Sequence, residues 1–111
     1  MNANTDVALH IETSDTVLVK WTGRAADRRP AAQLEPVFDR LLELDRDLVF
    51  DLSGLEHISS STMVVIMKFV KRITALGLGI EFQYDETVSW QRMTFGTLRS
   101  LAAPRAELMA A

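Results

Sequence analysis

The chain has 111 residues, of which 48% are hydrophobic and 24% charged, and its 12 basic and 15 acidic side chains give a net charge of −3. This size and composition are typical of one globular domain that is too small for a core plus a deep cofactor chamber. The acidic balance argues against binding to nucleic acid, and the absence of cysteine excludes disulfides, Cys-ligated metal centres and thiol nucleophiles.

The sequence contains no recognisable targeting signal and no sign of more than one domain. No basic region followed by an apolar run opens the chain, and no stretch approaches about 18 uninterrupted apolar residues. We therefore expect a cytoplasmic protein without direct membrane insertion. No repeat or linker divides the chain, so one domain is predicted over residues 1–111, with a core from about 7 to 101 and a tail over 102–111.

The N-terminal part predicts a β-hairpin and a helix. Two β-rich runs, Val7–Glu12 and Thr16–Thr22, flank the small polar residues Thr13–Asp15, which suit a tight turn. After a polar segment, apolar residues recur at helical spacing. This helix begins near either Pro30 or Pro36, because proline is favoured in the first turn of a helix.

The central part predicts a buried strand, a loop and a long helix. Leu48–Phe50 is a continuous apolar run, typical of a parallel strand covered on both faces, and Asp51–His57 is predicted to be a loop. The next helix begins among Ser59–Ser61 and ends at Gly77, since glycine suits a left-handed C-cap. Its apolar stripe consists of Met63, Ile66, Met67, Val70 and Ile73.

The C-terminal part predicts one more strand and helix. Apolar and polar residues alternate over Ile80–Tyr84, and a helix with Asp85 or Thr87 as its cap follows. No further strand is predicted after Pro104. The order β-β-α-β-α-β-α predicts an α/β fold, in which a mixed β-sheet with an N-terminal β-hairpin has helices packed on it.

Four consecutive hydroxyl residues, Ser59-Ser60-Ser61-Thr62, stand at the predicted start of the long helix. Serine and threonine are good N-cap residues, and a purely structural role is one interpretation. A phosphate at this position would meet unsatisfied backbone N–H groups and the positive end of the helix dipole, so a phosphoserine would be tolerated. The cluster therefore suits either a cap or a phosphorylation switch.

The segment VFDLSGLEHISSSTM, residues 49–63, resembles the signature region of STAS domains, the anti-sigma-factor antagonist family. In that family a strand leads through a short loop to Asp-Ser-Ser-Gly-Leu at a helix N-terminus, and the similarity in element order extends from about Val7 to Leu101. The resemblance implies a STAS-like, or SpoIIAA-like, single domain. Ser60 and Ser61 match the two serines of the motif, and Ser61 stands at the usual phosphoacceptor position.

Three motif positions differ in this chain, where Ser59 replaces the aspartate, Thr62 the glycine and Met63 the leucine. The first change removes a negative charge, and the second places a β-branched residue in the loop that a kinase must approach. The serine run and Tyr84–Glu86 are also similar to the SiaC group of bacterial regulatory phosphoproteins, whose STAS-like fold is switched by a Ser/Thr kinase and a phosphatase. The alternative acceptors to Ser61 are Ser60, Thr62 and Ser59.

These resemblances imply a regulatory binding domain and not an enzyme. It would bind a Bergerat-fold kinase that otherwise sequesters a sigma factor, and phosphorylation would release that partner until a phosphatase restores the serine. The implied partner-binding residues are Ser59, Ser60, Ser61, Thr62 and Met63. No cofactor is expected, because the kinase supplies ATP and Mg²⁺. The alternative is a non-phosphorylated STAS subunit, in a stressosome-like scaffold or a lipid-transport complex. In either case the chain could pair with a second copy of itself as a homodimer.

Other groups of polar and charged residues are predicted to have ordinary structural roles. Asp51, His57 and the serines are the residue types of a hydrolase triad, but they lie in one short segment without a Gly-x-Ser-x-Gly elbow, so catalysis is not predicted. His10 and His57 are expected to be exposed or hydrogen-bonded and not metal ligands. The basic residues expected to form a solvated helix face are Lys68, Lys71 and Arg72.

Overall fold

The computed structural model describes residues 7–102 and contains the predicted elements in the predicted order. The strands are β1 (Ala8–Glu12), β2 (Val17–Ala25), β3 (Leu48–Ile58) and β4 (Ile80–Gln83). The helices are α1 (Ala31–Glu43), α2 (Ser60–Ala75) and α3 (Ser89–Ala102). Apart from Ala102, the predicted tail lies outside the described residues.

The strands form one mixed sheet in the order β1-β2-β3-β4. β1 pairs antiparallel with β2, as the predicted hairpin requires, and Leu9 lies opposite Trp21. β2 pairs parallel with β3, and β3 pairs parallel with β4. The predicted α/β class and mixed sheet are therefore confirmed.

The sheet buries one face under the helices. Side chains of alternate strand residues form this face, and those in the core are Val17, Val19, Trp21, Leu48, Phe50, Leu52, Ile80 and Phe82. On the opposite face Lys20 and Glu81 are exposed and Val49 is half-buried. The expectation that Leu48–Phe50 is covered on both faces is therefore wrong, because the side chains of this strand alternate between the core and a face that is not buried.

An aromatic cluster joins the sheet to α1 and α2. The ring of Phe50 lies 5.5 Å from Trp21, 5.8 Å from Phe69 and 5.7 Å from Phe82, measured between centroids. Phe38 of α1 stacks on Phe69 of α2 at 4.4 Å. Because offset and edge-to-face aromatic contacts add to area burial, this cluster fixes the two helices on the sheet.

β3 is longer than predicted, and the segment Asp51–His57 is strand and not loop. The reason is tertiary: β2 continues to Ala25 and pairs with the second half of β3, through register shifts on either side of its pairing with Gly54 and Leu55. The strand pair therefore extends to Ile58, directly before α2.

Gly54→Ala is expected to destabilise the fold by about 1–3 kcal/mol. A Cβ at Gly54 would lie 2.9 Å from the Trp21 carbonyl oxygen and 2.9 Å from the Thr22 methyl carbon, and the backbone of β2 cannot move aside without disturbing its pairing. Urea unfolding followed by circular dichroism measures the effect. The matched control is Gly96→Ala inside α3, where the nearest atom would be the Tyr84 hydroxyl at 3.7 Å and stability should rise. Equal stability of Gly54→Ala and the unaltered chain would contradict the prediction.

The helix ends refine the predicted boundaries. α1 begins after Pro30, the first of the two alternatives, and contains Pro36. α2 begins within the predicted window, and Gly77 adopts the expected positive φ of 80° after its end. α3 begins at Ser89, so neither Asp85 nor Thr87 caps it; their side chains form a turn before the helix instead.

Candidate functional site

The candidate site lies where the ends of β2 and β3 meet the start of α2. The backbone N–H of Ser59 donates to the carbonyl oxygen of Ala25 at 2.7 Å, which joins the last residue of β2 to the N-cap of α2. The polar loop after β2 is therefore held beside the serine cluster.

Ser59 and Thr62 hold the first turn of α2 in place. The Oγ of Ser59 accepts the N–H of Thr62 at 3.1 Å and lies 3.1 Å from the carbonyl oxygen of Asp27. Thr62 is only 1% exposed, and its Oγ1 lies 3.3 Å from the carbonyl oxygen of Ala25 and 2.8 Å from the Ser59 Oγ. The two hydroxyls carry two protons, so two of these three oxygen–oxygen contacts are hydrogen bonds at any one time, within one connected network at the helix start.

These contacts explain two of the three changes in the motif, those at Ser59 and Thr62. Ser59 performs the capping that aspartate would, without its charge. Thr62 fills a buried position and ties α2 to β2, a contact that glycine could not make. Both residues therefore have structural roles.

Ser60 and Ser61 have a different environment. Ser60 is exposed and Ser61 is half-buried. Within residues 7–102 neither hydroxyl makes a hydrogen bond, in contrast to Ser59 and Thr62. The structure therefore separates the four adjacent hydroxyls into two that hold the fold and two that do not.

A groove of about 450 Å³ adjoins the serine cluster. It lies between the end of β3 and the first turns of α2 and α3, and it is lined by Glu56, His57, Ile58, Ser60, Met63, Trp90 and Thr94. Its volume is within the usual range for small-molecule pockets. Of the predicted partner-binding residues, Ser60 and Met63 line this groove. Trp90 and Thr94 are additions that the sequence did not assign to the site.

Gln91 fixes the start of α3 beside the groove, and sequence reasoning missed it. This side chain is 2% exposed, and its Nε2 donates to the carbonyl oxygens of Ser53 at 3.2 Å and Leu55 at 3.0 Å. Its Oε1 accepts the N–H of Asp85 at 2.8 Å. Because β4 pairs with β3 only as far as Asp51, the Gln91 amide takes the place of a strand at the later carbonyls. The sequence signal that could have identified Gln91 is its position: it lies at helical spacing from Phe95 and Leu98, on the buried face of α3.

The residues of the rejected hydrolase triad do not converge. Asp51 accepts the O–H of Ser53 at 2.6 Å and its N–H at 3.0 Å. His57 lies on the same strand, six residues and therefore roughly 20 Å away. His10 is exposed and lies 3.2 Å from Glu12 on β1. In the part of the chain that the structure describes, no three His, Asp or Glu side chains are grouped so that they could hold a metal ion.

The basic residues of α2 lie in solvent, as expected. Lys68, Lys71 and Arg72 are all exposed, and Arg72 pairs with Asp39 of α1 at 3.1 Å. Among the described residues, no helix is long and apolar enough to span a lipid bilayer.

One titratable group before α3 has a shifted pKa. The hydroxyl and N–H of Thr87 donate to the Asp85 carboxylate and hold the pKa of Asp85 below its ordinary value. Since the folded-state pKa is depressed, the contribution of this turn to stability is present above the unfolded pKa and is lost as the pH falls through the folded one. The turn that leads into Trp90 and Gln91 therefore keeps its negative charge to lower pH than an aspartate without these hydrogen bonds would.

The chain is similar to proteins of known structure, although it matches no known family by sequence. No protein-family model matches the chain, and no curated protein does. It is similar to a protein described as Mglu, with 25% identity and a TM-score of 0.54 over 71% of this chain, but the chain spans only 20% of that protein's length. It is also similar to an uncharacterized protein of the DUF3478 family from Shewanella loihica PV-4 with a SpoIIAA-like fold.

That second similarity covers 82% of this chain and 78% of the Shewanella protein, with 18% identity and a TM-score of 0.52. The SpoIIAA-like fold agrees with the mixed sheet and the helices of this chain. The chain therefore folds as a STAS-like domain with SpoIIAA-like architecture.

Proposed function

We propose that this chain is a regulatory protein-binding domain of the anti-sigma-factor antagonist type, switched by phosphorylation of a serine at the start of α2. The resemblance of residues 49–63 to the STAS signature region supports a binding role, and the SpoIIAA-like fold agrees with it. The proposed partners are a Bergerat-fold Ser/Thr kinase that acts as an anti-sigma factor and a cognate phosphatase, all in the cytoplasm.

The observation that carries the proposal is the contrast among the four hydroxyl residues. Phosphate on Ser59 or Thr62 would break the contacts to Asp27 and Ala25 that hold α2 on the sheet. Phosphate on Ser60 or Ser61 would break no hydrogen bond among the described residues. Ser61 is the proposed acceptor, because it also matches the family position, and Ser60 is the alternative.

The chemistry requires only a hydroxyl from this chain. The Ser61 Oγ attacks the γ-phosphorus of ATP held by the kinase, the bond to the β,γ-bridging oxygen breaks, and ADP leaves. The hydroxyl proton passes to a base on the kinase. The product carries about −1.5 to −2 charges at neutral pH next to the backbone N–H groups of the α2 N-terminus, which stabilise it. The same charge beside Met63 opposes any partner whose contact surface is apolar or acidic.

A non-phosphorylated scaffold or transporter subunit is the second candidate. The network of Ser59 and Thr62 favours it, since these residues make the helix start rigid and leave out the charge of the usual aspartate. Under this alternative Ser60 and Ser61 only contact a partner surface and are never modified.

Phosphate mapping distinguishes the two functions. Incubation of the purified full chain with native cytosol and ATP, followed by tandem mass spectrometry, should locate phosphate on Ser61 or Ser60. The double variant Ser60→Ala/Ser61→Ala should take none. The matched control, Ser100→Ala, removes an exposed serine of α3 and should be phosphorylated normally. Phosphate at another residue, or none while the same cytosol phosphorylates other proteins, excludes the switch.

A further inference from the structure

A group of arginines lies next to the serine cluster, outside the site described so far. Arg24 precedes Ala25, and Arg28 and Arg29 follow Asp27; the carbonyl oxygens of Ala25 and Asp27 are the groups that contact Thr62 and Ser59. The three arginine side chains are exposed. Over residues 7–102 no carboxylate lies within ion-pair distance of their guanidinium groups.

The segment Arg24–Arg29 is locally basic, with three arginines against one aspartate, although the chain carries a net charge of −3. On this loop the acidic side chain is Asp27, whose carboxylate already accepts the N–H of Arg29 at 2.9 Å. The other acidic residues at this end of the sheet are Glu56, which lines the groove, and Asp85 and Glu86, which follow β4, so the basic charge is confined to the loop after β2. Near the opposite end of the sheet the charge has the other sign, because the last residue of α1 and the segment before β3 carry Glu43, Asp45 and Asp47 against one arginine, Arg46.

Apolar side chains border the serine cluster on its other side. Met63 and Trp90 line the groove, and Met93, which directly precedes the groove residue Thr94, is 73% exposed. Met63 and Trp90 are half-buried, and methionine and tryptophan with one accessible face are typical of contact surfaces that accept an apolar side chain. The start of α2 therefore lies between a basic loop and an apolar groove. We call this the arginine–groove surface and define it by Arg28, Arg29, Met63, Trp90 and Met93.

We propose that the arginine–groove surface binds an acidic segment of a protein partner. The carboxylates of that segment pair with Arg28 and Arg29, and one of its apolar side chains enters the groove beside Trp90. Charge complementarity selects this occupant, since unpaired exposed guanidinium groups bind carboxylates and repel basic segments.

The same arrangement gives a reason for release on phosphorylation, and this part rests on the proposed function. A phosphate on Ser61 or Ser60 places about −1.5 to −2 charges between the arginines and the groove. It competes with the partner's carboxylates for the guanidinium groups and repels the acidic segment. The modification therefore weakens binding without any change in the fold of the domain.

The test uses the full chain and a short fluorescein-labelled peptide of Glu and Asp residues with one Leu-Phe pair, followed by fluorescence anisotropy. Arg28→Glu/Arg29→Glu should weaken binding about tenfold or more. The control pair Arg40→Glu/Lys71→Glu has the same net charge change on exposed positions about 15 Å along the helices and should alter affinity less than about twofold. Circular dichroism of both pairs verifies that they are folded.

Three results would overturn the inference: no binding of the acidic peptide, equal loss in the two variant pairs, or equal binding of a peptide with Lys in place of Glu and Asp. Phosphoserine incorporated at position 61 should reduce peptide affinity about tenfold, and incorporation at position 100 should not. Unchanged affinity with phosphoserine at position 61 would overturn the release mechanism. Peptide binding that depends on the arginines, together with absent phosphate in the mapping experiment, would reject the switch and retain the docking surface.

Discussion

Replacing Phe50 with alanine should lower the free energy of unfolding by about 3–5 kcal/mol, the usual cost of removing a buried phenylalanine ring. Phe50 is fully buried in the middle of β3, and its ring contacts aromatic rings from β2, β4 and α2. The cavity would be enclosed by the sheet on one side and by α2 on the other, so it cannot collapse easily. Since domains of this size are stable by only about 5–15 kcal/mol, this one change removes a large fraction of the total.

Equilibrium urea unfolding, monitored by far-UV circular dichroism, measures this loss. Val64→Ala is the matched control. It also truncates an apolar side chain to alanine, but at a position on α2 that is 49% exposed. Its effect should remain within about 0.5 kcal/mol. A loss below about 1 kcal/mol for Phe50→Ala would show that the aromatic cluster does not carry the core.

Replacing Gln91 with leucine should lower the free energy of unfolding by about 2–4 kcal/mol, although leucine has nearly the same volume. The change removes the donors for the carbonyl oxygens of Ser53 and Leu55 and the acceptor for the N–H of Asp85. Each group left buried without a partner costs free energy, while little cavity is created. Chemical denaturation measures the loss, and an unchanged midpoint would contradict the role of this amide.

Gln91→Glu provides a matched variant with a distinct pH dependence. The introduced carboxylate still accepts the N–H of Asp85 but faces two carbonyl oxygens, and burial raises the pKa of this carboxyl. A raised folded-state pKa makes the variant least stable above that pKa, and protonation at lower pH supplies one donor again. The stability deficit relative to the unaltered chain should therefore be largest at pH 7 and shrink toward pH 5. Parallel pH curves for the two proteins would refute this account.

Much of the fold follows from local patterns. The alternation over Ile80–Tyr84, the apolar stripe of α2 and the position of Gly77 depend on residues close in sequence, and each corresponds to an observed element. The error at Asp51–His57 has a different origin. Ser53 and Gly54 are typical of a turn when considered alone. The second half of β2, however, pairs with this segment and keeps it extended.

The sequence by itself determined the element order, the α/β class and the position of the serine cluster at the start of α2, because periodicity and capping act over a few residues. Only the tertiary structure decided which hydroxyls hold the fold. The partners of Ser59 and Thr62 are carbonyl groups 32 and 37 residues earlier in the chain, in the loop after β2 and at the last residue of β2. Likewise, Trp90 and Gln91 reach the end of β3 only because α3 packs there. Contacts between distant segments depend on strand pairing and helix packing, and these have no local signature.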